Sequence, residues 1–232
     1  MTARYAVYFS PARHSPWWTF GAHWLGRDEF ADATLQQPIP GQVELADLSS
    51  ITAEPRRYGF HATLKAPFHL TGGHTFDDLA VRMQALAKTL KPVDLGPFRA
   101  ILLGNFVALV PVSRPAPLAA LAEACVLGLD DLRAPLSEAD LARRLAAPLN
   151  AREQELLRQY GYPYVLECFR LHFSMSGPLT PDLARCAVQE LAQPVESLNA
   201  NSPLLLDRLC LFVEAAPGQP FKRLIDFPLN AY

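Results

Sequence analysis

The sequence predicts an α+β fold of two similar lobes, each with a largely antiparallel sheet and packed helices, around a central cleft. Three observations predict it. Strand-like and helix-like runs intermingle along the whole chain. Two strand-like runs carry the same short pattern, His61-Ala62-Thr63-Leu64 and His172-Phe173-Ser174-Met175. Each is followed by a helical pattern and then by two further strands, the first of them starting near residue 100 and near residue 204. The repeat is one of layout, not of sequence. The reading is a single bilobal domain over 1–232, with the lobe of the first motif roughly at 58–127 and that of the second roughly at 165–227.

The elements follow in order. Residues 4–10 (Arg-Tyr-Ala-Val-Tyr-Phe-Ser) are rich in aromatic and branched side chains and stop at Pro11, as a strand does. Ser15-Pro16 starts a helix through Trp17, Trp18, Phe20, Trp24 and Leu25. Residues 27–56 are polar and broken by proline, and read as a long connection. Strand character returns at 58–66. Thr75-Phe-Asp-Asp caps a helix over 75–90, with apolar positions at 79, 83, 86, 87 and 90. Two apolar runs, 98–103 and 106–112, flank Gly104-Asn105 and predict a hairpin. Residues 115–127 are helical. One or two helices follow over 137–158, broken near Pro148, with starts at Ser137 and Asn150. A strand at 165–176, a helix at 181–192 and strands at 204–215 and 220–227, joined at Pro217-Gly218, close the chain.

Composition narrows the class. Half of the 232 residues are apolar, enough for a substantial core, and the net charge is -2. A basic duplex-binding surface is not indicated. Cys125, Cys168, Cys186 and Cys210 include no C-x-x-C spacing, so a zinc knuckle is not visible and buried free thiols are expected. The N-terminus lacks a signal-peptide pattern, and there is no run of about 18 apolar residues. A cytoplasmic protein is expected, with no membrane contact and no obligate protein partner. His14, His23, His69 and His74 have no H-E-x-x-H spacing, and Trp17, Trp18 and Trp24 read as packing residues.

Alternation along a strand gives the two motifs their chemistry. His61, Thr63 and Lys65 share one face of the first, and Arg170, His172, Ser174 and Ser176 share one face of the second. The opposite faces are apolar. Polar side chains in a row on a core strand are costly if buried without partners, so a cleft is expected above them. Parity puts Tyr58 opposite His61, so packing is its expected role, with a substrate contact as the alternative. An imidazole titrates near neutrality, so one ring can be neutral and take a proton while the other is protonated and gives one. Thr63 and Ser174 hydroxyls can donate to phosphate oxygens, and Lys65 and Arg170 can add positive charge. The scheme needs no metal and no cofactor.

Paired H-x-[ST]-hydrophobic motifs, one per half, resemble the two-histidine (2H) phosphoesterase superfamily, which includes RNA 2′,3′-cyclic phosphodiesterases and RNA ligase-like proteins. The resemblance implies two α+β lobes, His61 and His172 as acid and base, and Thr63 and Ser174 as phosphate ligands. The longer strings Arg57-Tyr-Gly-Phe-His-Ala-Thr-Leu-Lys-Ala-Pro-Phe and Phe169-Arg-Leu-His-Phe-Ser-Met-Ser-Gly are similar to a bacterial branch of phosphonate-metabolism proteins. Relative to simpler members, the chain carries inserts near 11–56 and 128–165, placed to shape or cover the cleft. The resemblance implies a metal-independent cyclic phosphodiesterase, a phosphoric diester hydrolase acting on a small phosphorylated sugar such as a ribose cyclic phosphate. The alternatives are an enzyme of RNA ends (a 2′,3′-cyclic phosphodiesterase or 2′-5′ ligase-like protein) and a non-catalytic phosphate- or nucleotide-binding module.

Overall fold

One seven-stranded antiparallel sheet organises the chain. The structure is a computed structural model that describes residues 3–41 and 45–230. Strand β1 (Arg4–Phe9) leads to helix α1 (Pro16–Leu25), the short hairpin β2 (Arg27–Asp28) and β3 (Ala33–Thr34), and helices α2 (Leu45–Ile51) and α3 (Ala53–Arg56). Then come β4 (Ala62–Phe68), α4 (Phe76–Thr89), β5 (Val93–Asp94), β6 (Phe98–Leu103), β7 (Phe106–Pro111) and α5 (Ala116–Leu127). Helices α6 (Glu138–Leu145) and α7 (Ala151–Tyr160) precede β8 (Phe173–Pro178) and α8 (Pro181–Asn201). The chain returns through β9 (Leu205–Leu206), β10 (Arg208–Glu214) and β11 (Lys222–Pro228). The large sheet runs β11-β10-β1-β4-β8-β7-β6.

The α+β class and the large antiparallel sheet hold. A separate sheet for each lobe does not, because the two motif strands β4 and β8 pair with each other, Ala62 opposite Phe173, and make one sheet of both halves. The hairpins are also exchanged. The β6–β7 hairpin, which follows β4 in sequence, pairs with β8. The β10–β11 hairpin, which follows β8, pairs with β1 beside β4.

Alternation sets the two faces. Val7, Phe9, Ala62, Leu64, Val107, Leu109, Phe173, Met175, Leu209 and Leu211 point into the main core, where α1, α4, α5 and α8 cover the sheet. Ala6, Tyr8, Cys210 and Phe212 lie on the opposite face, with Phe221 packed against them. Helix α1 is tied to that architecture by its tryptophans: Trp24 Nε1 donates to the Met175 carbonyl at 2.9 Å and Trp17 Nε1 to the Ser202 carbonyl at 2.6 Å. All three tryptophans are buried, which makes them packing residues. Cys125 and Cys210 are buried free thiols, and Cys168 and Cys186 are half-buried ones.

Three boundaries differ from the sequence expectation, each for a local reason. The connection 27–56 holds α2 and α3, whose Leu48, Thr52 and Pro55 are buried; three prolines and many polar residues disguise them. The strand expected over 165–176 begins only at Phe173, because Leu166 takes a left-handed φ of 52° and residues 166–168 close a 3-10 turn. Helix α8 runs past Pro194 to Asn201, because Leu191 and Val195 on either side of that proline are both buried in the core.

Candidate functional site

Strand β4 places His61 and Thr63, and β8 places His172 and Ser174, on the face away from the core. One step either side of the Ala62–Phe173 pair, His61 stands across from Ser174 and Thr63 across from His172. The two histidines are therefore diagonal neighbours, and so are the two hydroxyls, with backbone separations of roughly 7–8 Å. All four line one open cleft of about 540 Å³.

Each imidazole is anchored in the same way. His61 Nδ1 lies 2.9 Å from the Gly59 carbonyl and His172 Nδ1 lies 2.9 Å from the Arg170 carbonyl. A carbonyl only accepts, so each Nδ1 carries the proton and each Nε2 is left as a lone pair in the neutral ring. Thr63 Oγ1 sits 3.4 Å from His61 Nε2. Gly59 has a φ of 76°, and a Cβ there would approach Glu29 Cβ to 2.7 Å, so glycine makes the turn that presents its carbonyl to the ring. Tyr8 stacks on His61 at 3.9 Å between centroids, and Phe106 lies 5.7 Å from His172.

Burial lowers the His61 pKa to about 4, opposed by the Gly59 carbonyl and deepened by the charge of His172. Burial also lowers His172, again opposed by its carbonyl. Both rings are therefore neutral near pH 7. This differs from the expected neutral–protonated pair, because desolvation acts on both.

The other expected site residues divide. Tyr58 lines the cleft, 5.9 Å from His61 and stacked at 5.1 Å on Phe221. The left-handed turn at Gly59 breaks the strand parity that would have put it on the other side. Lys65 does not reach the cleft. The register shifts by one residue between Tyr8–Thr63 and Val7–Lys65, and this bulge turns Lys65 to the helix-covered face. There its Nζ bonds Asp130 at 3.0 Å and the Val126 carbonyl at 3.0 Å beneath the end of α5. Arg170 precedes β8, its side chain is exposed and is not among the lining residues, and only its carbonyl serves the site. Ser176 does line the cleft; its Oγ donates to the Gly177 carbonyl and accepts from the Val107 amide.

Sequence parity missed the residues that come from elsewhere. Arg4 and Tyr8 enter from β1, Arg144 from α6, and Tyr162 and Tyr164 from the segment after α7. Only the aromatic, alternating composition of residues 4–10 hinted at any of them. Among the described residues no group of three or more His, Cys, Asp or Glu could hold a metal ion, and no helix is long and apolar enough to cross a membrane.

These features define an α+β protein with a cleft over a central antiparallel sheet, floored by two crossed His–hydroxyl pairs. The chain belongs to the DUF1045 family, described as a protein of unknown function, which it matches over residues 63–222. It is also 40% identical to a protein of Janthinobacterium sp. (strain Marseille) named ribose 1,5-bisphosphate phosphokinase PhnN, over 98% of this chain and 51% of that protein. A protein of the same name from Laribacter hongkongensis (strain HLHK9) is 40% identical over 94% of this chain and 50% of its own length. The chain thus spans about half the length of the curated relatives it matches.

These names fit the phosphonate-metabolism branch and overturn the reaction. A phosphokinase transfers a phosphoryl group, whereas the sequence reading was a hydrolase, a cyclic phosphodiesterase on sugar or RNA ends, or a non-catalytic module. The physical reason is plain: imidazoles and hydroxyls around a phosphate fit transfer as well as hydrolysis, so residue types alone do not choose between them.

Proposed function

We propose that the cleft is a ribose-phosphate site, and that this chain serves phosphonate metabolism on the sugar side of a phosphoryl-transfer reaction. One observation carries the reading: the crossed arrangement in which both Nε2 atoms and the Thr63 and Ser174 hydroxyls converge on one open cleft. Hydroxyls donate to non-bridging phosphate oxygens. A neutral imidazole with a free Nε2 accepts the proton of an acceptor oxygen on the sugar or its phosphate; that oxygen bonds to the phosphorus of the phosphoryl donor as the donor's bridging P–O bond breaks and the rest of the donor leaves with the electron pair. His61 and His172 are the catalytic residues of this reading, Thr63 and Ser174 its phosphate ligands, and Tyr58 a wall of the sugar pocket. The same crossed pairs support a shared architecture with the two-histidine superfamily, without its diester-cleaving activity.

The relatives' name supplies the substrate, ribose 1,5-bisphosphate. The sequence has no G-x-x-x-x-G-K-[ST] phosphate loop, so the proposal concerns the sugar phosphate and not the donor. Calorimetric titration with ribose 1,5-bisphosphate and ribose 5-phosphate tests it, beside transfer from ATP followed by ³¹P NMR. Saturable binding is expected, weakened about tenfold or more by His61→Asn or by His172→Asn with folding intact. Absence of binding by either sugar at millimolar concentration would sink the reading.

A further inference from the structure

Beyond the histidines, the cleft has a positively charged end. Arg4 and Arg57 share the single buried carboxylate of Glu214, which leaves one charge of that cluster unbalanced. Arg4 lines the cleft, its guanidinium 5.8 Å from the Phe221 ring, on which Tyr58 stacks. The chain of rings His61, Tyr58, Phe221 therefore leads from the imidazoles to Arg4, which lies one ring beyond Tyr58.

Arg144 completes this end from the insert. It is half-buried, lines the cleft, and is held by Nη1 donating to the Gly161 carbonyl at 2.7 Å. Among the described residues it has no carboxylate within ion-pair distance. Burial lowers its pKa, Asp140 opposes this, and the charge of Arg4 adds to the lowering, as expected of two guanidiniums that approach one another. Tyr58 and Tyr162 line the same cleft, and their hydroxyls bond to no described residue. Among the described residues Glu54 is the one carboxylate that lines the cleft, and it sits beside Gly177. A half-buried arginine with spare donors and no carboxylate bonded to it is a ready phosphate ligand.

We propose that Arg4 and Arg144, with the hydroxyls of Tyr58 and Tyr162, form a second anion subsite that selects a doubly phosphorylated sugar over a singly phosphorylated one. One phosphate lies between the imidazoles and the other at the arginines. The inference rests on the ribose-phosphate reading. Arg4 is tied to Glu214, so Arg144 is the cleaner position to change, and α6 contributes no buried residue to the core.

The test is to titrate the wild-type chain, Arg144→Gln and Arg144→Lys with ribose 5-phosphate and with ribose 1,5-bisphosphate. The wild type is expected to favour the bisphosphate by about tenfold or more, Arg144→Gln to abolish that preference, and Arg144→Lys to keep part of it. Equal wild-type affinity for the two sugars overturns the subsite, as does a variant that weakens both by the same factor. If the wild type binds neither sugar, the ribose-phosphate reading itself has failed, a result distinct from a lost preference. Thermal melting of both variants near the wild-type temperature confirms that the readout is binding.

Discussion

A half-buried ring held through Nδ1 with its Nε2 unprotonated is a proton acceptor that a neighbouring anion would charge. The His61 pKa falls to about 4 because burial, with His172 close by, disfavours its charge. A phosphate between the rings reverses that balance, so its binding raises the pKa and draws in a proton. Affinity for a sugar phosphate is therefore expected to rise as pH falls from about 8 to about 6. Titration in buffers of different ionisation heat should show proton uptake, and His61→Asn should flatten the dependence. A wild-type affinity independent of pH would remove His61 as a phosphate partner. The same shift bears on stability. The unfolded ring protonates near 6.5 and the folded one only near 4, so this ring's contribution is lost as pH falls through that window. The melting temperature of the His61→Asn variant should drop less over that window than that of the wild type. Lys65 gives the opposite expectation. Its ammonium is buried against Asp130, so Lys65→Ala should cost about 3 kcal/mol in urea denaturation while leaving sugar-phosphate affinity unchanged. Loss of affinity without loss of stability would return Lys65 to the site.

At the scale of elements, strand alternation carried the reading as far as the strands stay regular. It put His61, Thr63, His172, Ser174 and Ser176 on the face that lines the cleft because each lies on, or one step before, a paired segment. It failed at Lys65 because a bulge follows Thr63, and Leu64-Lys65 has neither glycine nor proline to announce it. It did not hold at Arg170, which lies well before the start of β8 at Phe173, nor at Tyr58, because Gly59 turns the chain. Arg4, Tyr8, Arg144 and Tyr162 were beyond its reach, since only tertiary structure sets β1 beside the first motif strand and brings α6 and the segment after α7 to the cleft. Gly59 is the element on which the His61 anchor depends. Gly59→Ala would put a Cβ in a left-handed position and against Glu29, at a cost of about 1–3 kcal/mol. It is expected to lower the melting temperature and to weaken sugar-phosphate binding together, because the same carbonyl that the strain displaces holds the His61 ring. Unchanged binding in a destabilised Gly59→Ala protein would show that the carbonyl anchor is dispensable.

At the scale of the whole molecule, the exchanged hairpins decide how the site is made. Each half of the chain holds one of the two motif histidines, yet neither half holds both strands that flank its motif strand. The sheet neighbours of β8 are β4 and β7, both from the first half, and β1 beside β4 takes its other partner, β10, from the second. An isolated first half would leave the edges of β1, β4 and β7 unpaired, and an isolated second half would be left with β8 alone and the β10–β11 hairpin. Unpaired inner edges expose both apolar surface and backbone groups that cannot be satisfied locally. The expectation is that fragments 1–135 and 136–232 each lack a cooperative thermal transition, measured by circular dichroism and by dispersion of amide NMR signals. Mixing them should restore a cooperative transition at the temperature range of the intact chain, and with it sugar-phosphate binding, because the cleft exists only where β4 meets β8. A cooperative, sugar-binding fragment of either half would overturn this account, since it would place a complete site within one lobe.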